Sequence, residues 1–337
     1  MSKKARDFIP PGLAYIADNI ISRQNVLGVS RETGAKWARD LDLPSEGQTI
    51  FFAGCGYQYS AGLGSMMSLV RKMDKSPVGS ELPMGLARFQ KKVGVDLAGV
   101  YRRLSVKGGD SDGQPLKDAV RVLRKLGINF GYLADAEPCC GGLLYYVGMH
   151  EEFAQNARQA YDGLKSRGVK RLIGMVPSCT HTMRNLFPRF IAGYDIEVKH
   201  FLEIVLEGIK DRDLKFPRAV KVTYHDPCQL ARYLGLTAEP RQILRSIKGL
   251  ELVETDWTNG EWATCCGGGG GFEVVFPELS EILAENRARE LVATGASIIV
   301  THCPGCILQI KDGLKKLKID DVEVLDLAQV LAMAMEV

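Results

Sequence analysis

The chain has 337 residues, of which 46% are hydrophobic and 25% are charged, and its formal net charge is +3. This composition is that of an ordinary globular protein of about two domains, and so small a charge does not favour binding to nucleic acid or to an anionic membrane. No apolar run approaches the ~20 residues of a membrane span, and no apolar signal segment follows the charged N-terminus, so we expect a cytoplasmic protein.

The first segment, residues 1–47, is predicted to be an irregular lead-in. Apolar residues at helical spacing predict one helix over 13–22 and a second over 32–41. The segment before the first predicted strand, 43–47, contains Pro44 and Gly47 and reads as a turn. We therefore expect this lead-in to lie on the surface of a domain or of a partner.

The rest of the chain repeats itself, because three cysteine landmarks recur in the same order. In the first half they are Gly54-Cys55, Cys139-Cys140-Gly141-Gly142 and Val176-Pro177-Ser178-Cys179. In the second half they are Pro227-Cys228, Cys265-Cys266-Gly267-Gly268 and Cys303-Pro304-Gly305-Cys306. A fixed order of matching landmarks predicts an internal duplication.

Strands and helices alternate between the landmarks. Strands are predicted at 171–175 and 297–300, and helices at 150–165 and 279–294. The segments 195–198 and 321–324 also match, and each leads into an apolar helix, at 201–209 and 327–335. The pattern predicts an α/β fold with a mainly parallel sheet flanked by helices in each half, and cysteines at the strand ends.

These boundaries predict a first domain over 48–215 and a second over 216–337, and we expect the first half to have its own core. Cys228 and Cys265 are 37 positions apart, but Cys55 and Cys139 are 84 apart, so the first domain has an insertion of 47 residues at about 57–113. The insertion contains several methionines and a basic helical pattern at 88–103. Two interpretations stay open: a docking surface or substrate lid, and a helical excursion packed on its own domain.

The nine cysteines all lie in the landmarks. An odd number of cysteines without an export signal indicates metal or redox chemistry instead of a disulfide framework. Adjacent cysteines point to opposite faces of an extended chain and suit a multi-iron cluster better than one tetrahedral zinc ion, which leaves a zinc-stabilised binding module as a disfavoured alternative. The second half has five thiols, one more than a four-cysteine cluster needs. Gly141, Gly142, Gly267 and Gly268 are predicted to let the backbone approach the inorganic sulfides.

At these residues the chain resembles the CCG (cysteine-rich domain) family, most closely the catalytic B subunit of heterodisulfide reductases, and it is similar to the C-terminal part of the related D subunit. The resemblance covers about 25–337 and implies two pseudo-symmetric CCG domains. It implies a catalytic non-cubane [4Fe-4S] cluster in the second domain, with five cysteine ligands. Those ligands are Cys228, Cys265, Cys266, Cys303 and Cys306.

The first motif departs from the family pattern. Val176 stands where the first cysteine of the CxxC belongs, and valine cannot bind iron. The remaining thiols, of Cys55, Cys139, Cys140 and Cys179, suit a [2Fe-2S] or a simple [4Fe-4S] cluster. We therefore expect the two domains to hold different clusters.

The resemblance also implies partners and a reaction. The chain has no C-x₂-C-x₂-C-x₃-C ferredoxin signature, so we expect electrons to pass through two further subunits of the kind found in heterodisulfide reductases, a ferredoxin-type iron–sulfur protein and a flavoprotein. The implied reaction is reduction of a disulfide, or oxidation of thiols, on a small or protein-borne substrate. The alternative is an electron-transfer subunit of a flavin-dependent lactate, glycolate or glycerol-3-phosphate oxidoreductase.

Histidines and cationic residues in the motif segments are further candidates for catalysis or for substrate binding. His225 and His302 are candidate catalytic residues, and like His181 they are suited to donate a proton, bind iron or hydrogen-bond to the cluster. Four cations are either binders of an anionic substrate or part of a solvated face. They are Arg184, Lys199, Arg232 and Arg287.

Overall fold

The computed structural model describes residues 9–60, 62 and 113–336. The predicted insertion at about 57–113, with its basic helical pattern, therefore lies almost entirely outside the described residues. The lead-in contains the helices α1 (Pro11–Arg23) and α2 (Arg31–Ala35), and α2 is followed by a 3₁₀ turn at Lys36–Ala38. The second predicted helix is thus shorter than the pattern indicated.

The first half contains a three-stranded parallel sheet. Its strands are β1 (Thr49–Phe52), β2 (Arg171–Gly174) and β3 (Glu197–His200), in the spatial order β1-β2-β3. Helices of the first half surround this sheet. They are α3 (Gly54–Gln58), α4 (Gln114–Lys125), α5 (Gly142–Tyr146), α6 (His150–Lys165), α7 (Pro177–His181), α8 (Phe187–Phe190) and α9 (Phe201–Gly208).

The second half contains a four-stranded parallel sheet in the order β5-β4-β6-β7. The strands are β4 (Leu214–Tyr224), β5 (Ile247–Leu252), β6 (Ile298–Thr301) and β7 (Glu323–Asp326). The helices are α10 (Ala238–Ser246), α11 (Phe272–Val275), α12 (Pro277–Val292), α13 (Pro304–Lys316) and α14 (Leu327–Glu336). A π-helical turn, Gln229–Tyr233, follows Cys228.

The two sheets confirm the predicted α/β duplication. The strands of the two sheets correspond in three pairs. β1 and β4 precede the first cysteine landmark of their half, β2 and β6 precede the third, and β3 and β7 precede the apolar helices α9 and α14. The outer strand β5 also has a counterpart, since Gly131 forms an isolated parallel bridge to Ile50 on the open edge of β1. Central strands such as β2 and β6 are almost wholly buried, as expected for parallel strands covered by helices on both faces.

The last helices of the two halves exchange contacts, since each packs on the strands of its own sheet and also on a helix of the other half. α14 ends the second half but packs against α4 of the first, where Arg121 Nη1 lies 2.8 Å from Glu336 Oε1 and Lys125 Nζ donates to Met335 O at 2.6 Å. In the opposite direction, α9 packs against α10 of the second half. A large hydrophobic core therefore runs through both halves, and a smaller cluster that includes Ile299, Ile310 and Leu314 lies within the second half. The expectation that the first half has its own core is wrong, while the boundary at 215/216 stays a prediction.

Candidate metal centres

Both sets of thiols lie beyond the carboxyl ends of the parallel strands. In the first sheet Phe52, Gly174 and His200 lie side by side at this edge. In the second sheet β4, β6 and β7 end together at Tyr224, Thr301 and Asp326. Cys55, Cys179, Cys228 and Cys303 come within five residues of the ends of β1, β2, β4 and β6, which is where open α/β sheets bind ligands.

The first thiol group consists of Cys55, Cys139, Cys140 and Cys179. The Cys55 and Cys139 sulfurs are 3.7 Å apart, and those of Cys140 and Cys179 are 3.3 Å apart. Cys55 is half-buried and the other three are buried. The fold therefore brings together all four predicted ligands of the first domain.

The second thiol group consists of Cys228, Cys265, Cys266, Cys303 and Cys306. The Cys266 and Cys306 sulfurs are 3.2 Å apart, which matches the Cys140–Cys179 pair of the first group. Cys303 and Cys306 lie at the start of α13. The second group is more open to solvent, since Cys265 is exposed and Cys228 and Cys303 are half-buried.

Glycines after each cysteine pair are required by close packing. Gly141 and Gly267 have φ of +71° and +86°, which favours glycine. A Cβ on Gly141 would lie 2.3 Å from Asn156 Nδ2, and one on Gly267 would lie 2.4 Å from Ser280 O. Both backbone N–H groups donate to the first cysteine of their pair, at 3.4 and 3.3 Å. Gly142 and Gly268 pack as closely, against Thr182 and Gln309.

The second cysteine of each pair has its sulfur hydrogen-bonded to two further thiols. These contacts, with Cys139 and Cys179, and a bond from the Gly142 N–H lower the pKa of Cys140 well below its usual range. Contacts with Cys265 and Cys306 lower the pKa of Cys266 in the same way. By contrast, burial and then the neighbouring Cys303 and Cys266 raise the pKa of Cys228 to about 11.

Val176 occupies the ligand position that the first group lacks. Its side chain is buried and lies against Gly54, where an ideal Cβ would be 2.8 Å from Val176 Cγ2 and 3.1 Å from the Cys179 sulfur. A Cβ on Gly56 would meet Val176 Cγ2 at 3.5 Å and Pro304 Cγ of the second motif at 2.8 Å. The two thiol groups thus adjoin through Gly56, Val176 and Pro304.

His225 and His302 lie in different surroundings. A ring nitrogen of His225 lies within 4.8 Å of the Cys266 and Cys306 sulfurs, and all three residues are buried. His302 instead faces the junction of the two halves, where its ring stacks on Phe201 at 5.5 Å and meets His200 edge-on at 5.1 Å. The geometry thus places His225, and not His302, beside the second thiol group.

Sequence reasoning missed the partners of His302. Its Nδ1 lies 2.8 Å from Asp326 Oδ1, and the Tyr57 hydroxyl donates to Asp326 Oδ2. All three side chains are buried. Tyr57 is two residues after Cys55, and His302 directly precedes Cys303, so this buried network connects the two thiol groups. The only signal in the sequence was that His200 and Asp326 occupy matching positions in the repeat.

The remaining polar candidates divide into four cases. His181 lies 3.0 Å from the Tyr146 hydroxyl, and burial lowers its pKa. Arg184 and Lys199 form ion pairs with glutamates of α9. Arg232 donates to backbone oxygens of the loop before Cys265. Arg287 has no solvent exposure, so its interpretation as part of a solvated face is wrong.

The donor sets fit iron–sulfur clusters. Sulfur–sulfur distances of 3.2–3.7 Å exceed the ~2.05 Å of a disulfide bond. They are close to the ~3.8 Å between two thiolates that share a tetrahedral metal ion at ~2.3 Å. The first group would hold its cluster with four sulfurs and the second with five. Soft, clustered thiolates are the donor type that iron–sulfur clusters use.

Comparison with known proteins gives relatives in several oxidoreductases. The chain is 36% identical over 221 residues to the D subunit of the dihydromethanophenazine:CoB–CoM heterodisulfide reductase of Methanosarcina mazei, which covers 64% of this chain and 54% of the relative. It is 34% identical to the B subunit of the fumarate reductase (CoM/CoB) of Methanothermobacter marburgensis, over 64% of this chain and 42% of that one. It is 33% identical to the EtfAB:quinone oxidoreductase of Syntrophomonas wolfei, over 64% and 31%. The chain thus spans about half the length, or less, of these relatives.

The family match covers the landmarks of both halves. The cysteine-rich domain, CCG, matches residues 106–184 and again 222–311. The second match includes all five cysteines of the second thiol group, and the first includes all of the first group except Cys55. In the described part of the chain, no helix combines the length and the apolar character needed to cross a membrane.

Because the family match includes the landmarks of both halves, the chain belongs to the cysteine-rich (CCG) domain family, with two copies of the domain.

Proposed function

We propose that this chain is the iron–sulfur subunit of a heterodisulfide reductase-like complex, and that it reduces a disulfide or oxidises thiols at a non-cubane [4Fe-4S] cluster bound to the second thiol group. The observation that carries this proposal is the convergence of five thiols in a site that is open at Cys265. A surplus fifth thiolate distinguishes the site from an ordinary four-cysteine cluster. The heterodisulfide reductase relative supports the same reaction class.

The reaction needs electrons, protons and an accessible site. Reduction of a disulfide breaks one S–S bond and consumes two electrons and two protons to form two thiols. When bound, the cluster supplies electrons and Lewis-acidic iron. The protein supplies access at Cys228, Cys265 and Cys303, and Arg232 fixes the loop before Cys265 by donating to Glu261 O at 2.8 Å.

We propose that a partner delivers these electrons. We propose that a ferredoxin-type iron–sulfur protein and a flavoprotein of the same complex have this role, which agrees with relatives that are named as subunits and are longer than this chain. Anaerobically reconstituted chain should contain iron and acid-labile sulfide, and it should reduce a disulfide when given a reduced ferredoxin-type donor. With NADH alone it should show negligible turnover, which a thiol-release assay measures. Sustained NADH-dependent turnover by this chain, or protein without iron, would contradict the proposal.

The first thiol group is proposed to hold a [2Fe-2S] or a simple [4Fe-4S] cluster through its four sulfurs. Restoring the missing ligand with Val176→Cys should make its electron paramagnetic resonance (EPR) signal resemble that of the second group. Cysteine is smaller than valine, so the change fits the buried space against Gly54 without a clash. Val176→Ala is the matched control, because it removes the same bulk without adding a thiol. Identical spectra for the two variants would show that position 176 is not a ligand position.

A second candidate function is electron transfer without disulfide chemistry, in a flavin-dependent oxidoreductase complex. The relative named EtfAB:quinone oxidoreductase and the probable iron–sulfur-binding oxidoreductase FadF of Bacillus subtilis favour it. Under this candidate function, the complex would be a flavin-dependent hydroxy-acid oxidoreductase that acts on lactate, glycolate or glycerol-3-phosphate. Reoxidation of the reduced protein by a flavoprotein but by no disulfide would favour this candidate.

A further inference from the structure

A buried pair formed by Arg287 and His225 lies beside the second thiol group. The Arg287 side chain has no solvent exposure, and His225 is almost as fully buried. Arg287 Nε donates to His225 Nδ1 at 3.0 Å. Arg287 Nη1 lies 2.7 Å from Glu290 Oε2 and donates to Thr258 O at 2.9 Å. These contacts with His225, Glu290 and Thr258 hold the guanidinium in a fixed position.

This contact determines which nitrogen of His225 carries the proton. A guanidinium group has only N–H donors, so the Nδ1 atom that faces it must accept with its lone pair. A neutral imidazole whose Nδ1 accepts has its proton on Nε2. Nε2 is buried and has no hydrogen-bond partner among the described residues. A nitrogen of the same ring lies within 4.8 Å of the Cys266 and Cys306 sulfurs. Arg287 Nη2 is also without a partner among the described residues, but the unused N–H of His225 belongs to a ring that lies beside two thiols.

We propose that His225, oriented by Arg287, donates its Nε2–H to the sulfurs of Cys266 and Cys306 and is not a ligand of iron. Binding iron through Nε2 would require a lone pair on that atom. The proton would then have to move to Nδ1, where two N–H donors would face each other at 3.0 Å, or be lost from the ring altogether. This inference rests on the proposed function, because it presupposes a cluster on the second thiol group.

An N–H···S bond has a measurable effect on a cluster. It stabilises negative charge on the sulfur, and the reduced cluster carries more of that charge, so the bond raises the reduction potential. The first group has no histidine at the corresponding position. His225 stands three residues before Cys228, and the residue three before Cys55 is Phe52. Arg287 is a positioning residue here, because it acts only through the orientation and tautomer of His225.

The bonding of His225 can be read directly by magnetic resonance of the holoprotein. In chain labelled with ¹⁵N-histidine, the reduced second cluster should show a weak nitrogen coupling together with a proton coupling that disappears in D₂O. In His225→Leu the nitrogen coupling should be absent and the exchangeable proton coupling should be weaker; a residual proton coupling is expected there, because the Gly267 N–H also donates to the Cys265 sulfur. A strong nitrogen coupling, typical of direct coordination, would overturn the proposal, and so would the absence of both couplings in the unsubstituted chain.

Potentiometric titration provides an independent test. His225→Leu should lower the midpoint potential of the second-cluster signal at unchanged iron content. His225→Gln, which keeps an N–H donor, should recover part of the shift, and Arg287→Leu should shift the potential in the same direction by less. His150→Gln is the control, because His150 stacks on Tyr145 in the first half and should leave the potential unchanged.

The outcomes separate this inference from the proposed function. Chain that shows no second-cluster signal before any substitution contradicts the proposed function. A normal signal whose potential is the same in His225→Leu and in the unsubstituted chain contradicts only the role of His225. If His225→Leu fails to fold, the resonance measurement on the unsubstituted chain and the titration of His225→Gln still decide.

Discussion

Replacing Cys303 by valine is expected to leave iron in the protein but to remove the distinctive EPR signal of the second thiol group and its disulfide turnover. Cys303 is half-buried and directly precedes α13, whereas its counterpart Val176 is buried in the first group. The variant therefore reduces the second group to the four-sulfur set of the first. Four thiolates still suffice for an ordinary cluster, so iron should be retained.

Removing a cysteine of the vicinal pair should be harsher than removing Cys303. Cys266 is buried, its sulfur is 3.2 Å from that of Cys306, and its pKa is lowered by the donors around it. Cys266→Ala or Cys265→Ala is therefore expected to abolish assembly of the second cluster and to remove its share of the iron. The cluster of the first group should persist, and iron per chain should fall accordingly.

Iron content, EPR spectra and turnover in the reconstituted complex measure these effects together. Cys303→Ser is a close control, because it keeps the size of the side chain and offers a weaker oxygen ligand. Its spectrum should be altered less than that of Cys303→Val. Full disulfide turnover by Cys303→Val would place the catalytic site elsewhere in the complex.

Much of the architecture was predictable because local patterns and topology agree. The helix predicted over 150–165 is found at His150–Lys165, and the strand predicted over 171–175 is found at Arg171–Gly174. The meeting of distant cysteines was also predictable, because parallel strands of one sheet deliver the turns after them to one edge. Whether the assembled thiols bind clusters of two kinds stays a prediction.

The polar environment of the thiols was not predictable, because it depends on single side chains from distant segments. Arg287 lies on α12, in a sequence rich in charged residues that gives no sign of burial. Its contact with His225 joins positions 62 residues apart, and the bond of Tyr57 to Asp326 joins positions 269 apart. A periodic pattern reports which face of a helix is apolar, but not which charged residue is buried with a partner.

The exchange of α9 and α14 between the halves was also hidden from the sequence. Each of these helices is apolar and follows the last strand of its own sheet, so nearest-neighbour reasoning places each on its own half. The described residues show that each helix packs on its own strands and also on the other half, with α14 on α4 and α9 on α10. An apolar helix face indicates burial, but the sequence does not say against which neighbour.

This exchange predicts that both halves unfold together when α14 is weakened. Leu331 has no solvent exposure and belongs to the same core cluster as Leu116 and Val120 of α4. Leu331→Ala is expected to lower the free energy of unfolding by about 2–5 kcal/mol, because it leaves a cavity in that shared core. Ile282→Ala is the matched control, since Ile282 on α12 is 54% exposed and its loss should change the free energy by no more than about 0.5 kcal/mol.

Two probes distinguish a shared core from separate ones. Trp37 is buried in the first half, and Trp257 and Trp262 are exposed in the second, so a chain with phenylalanine at 257 and 262 reports first-half unfolding by fluorescence. Visible absorbance of the bound iron reports loss of the clusters. In Leu331→Ala both signals should move to lower denaturant concentration by the same amount, although the substitution lies in the last helix of the second half. If the Trp37 transition stayed in place while the absorbance was lost earlier, the halves would unfold independently and the shared core would contribute little to the stability of the first.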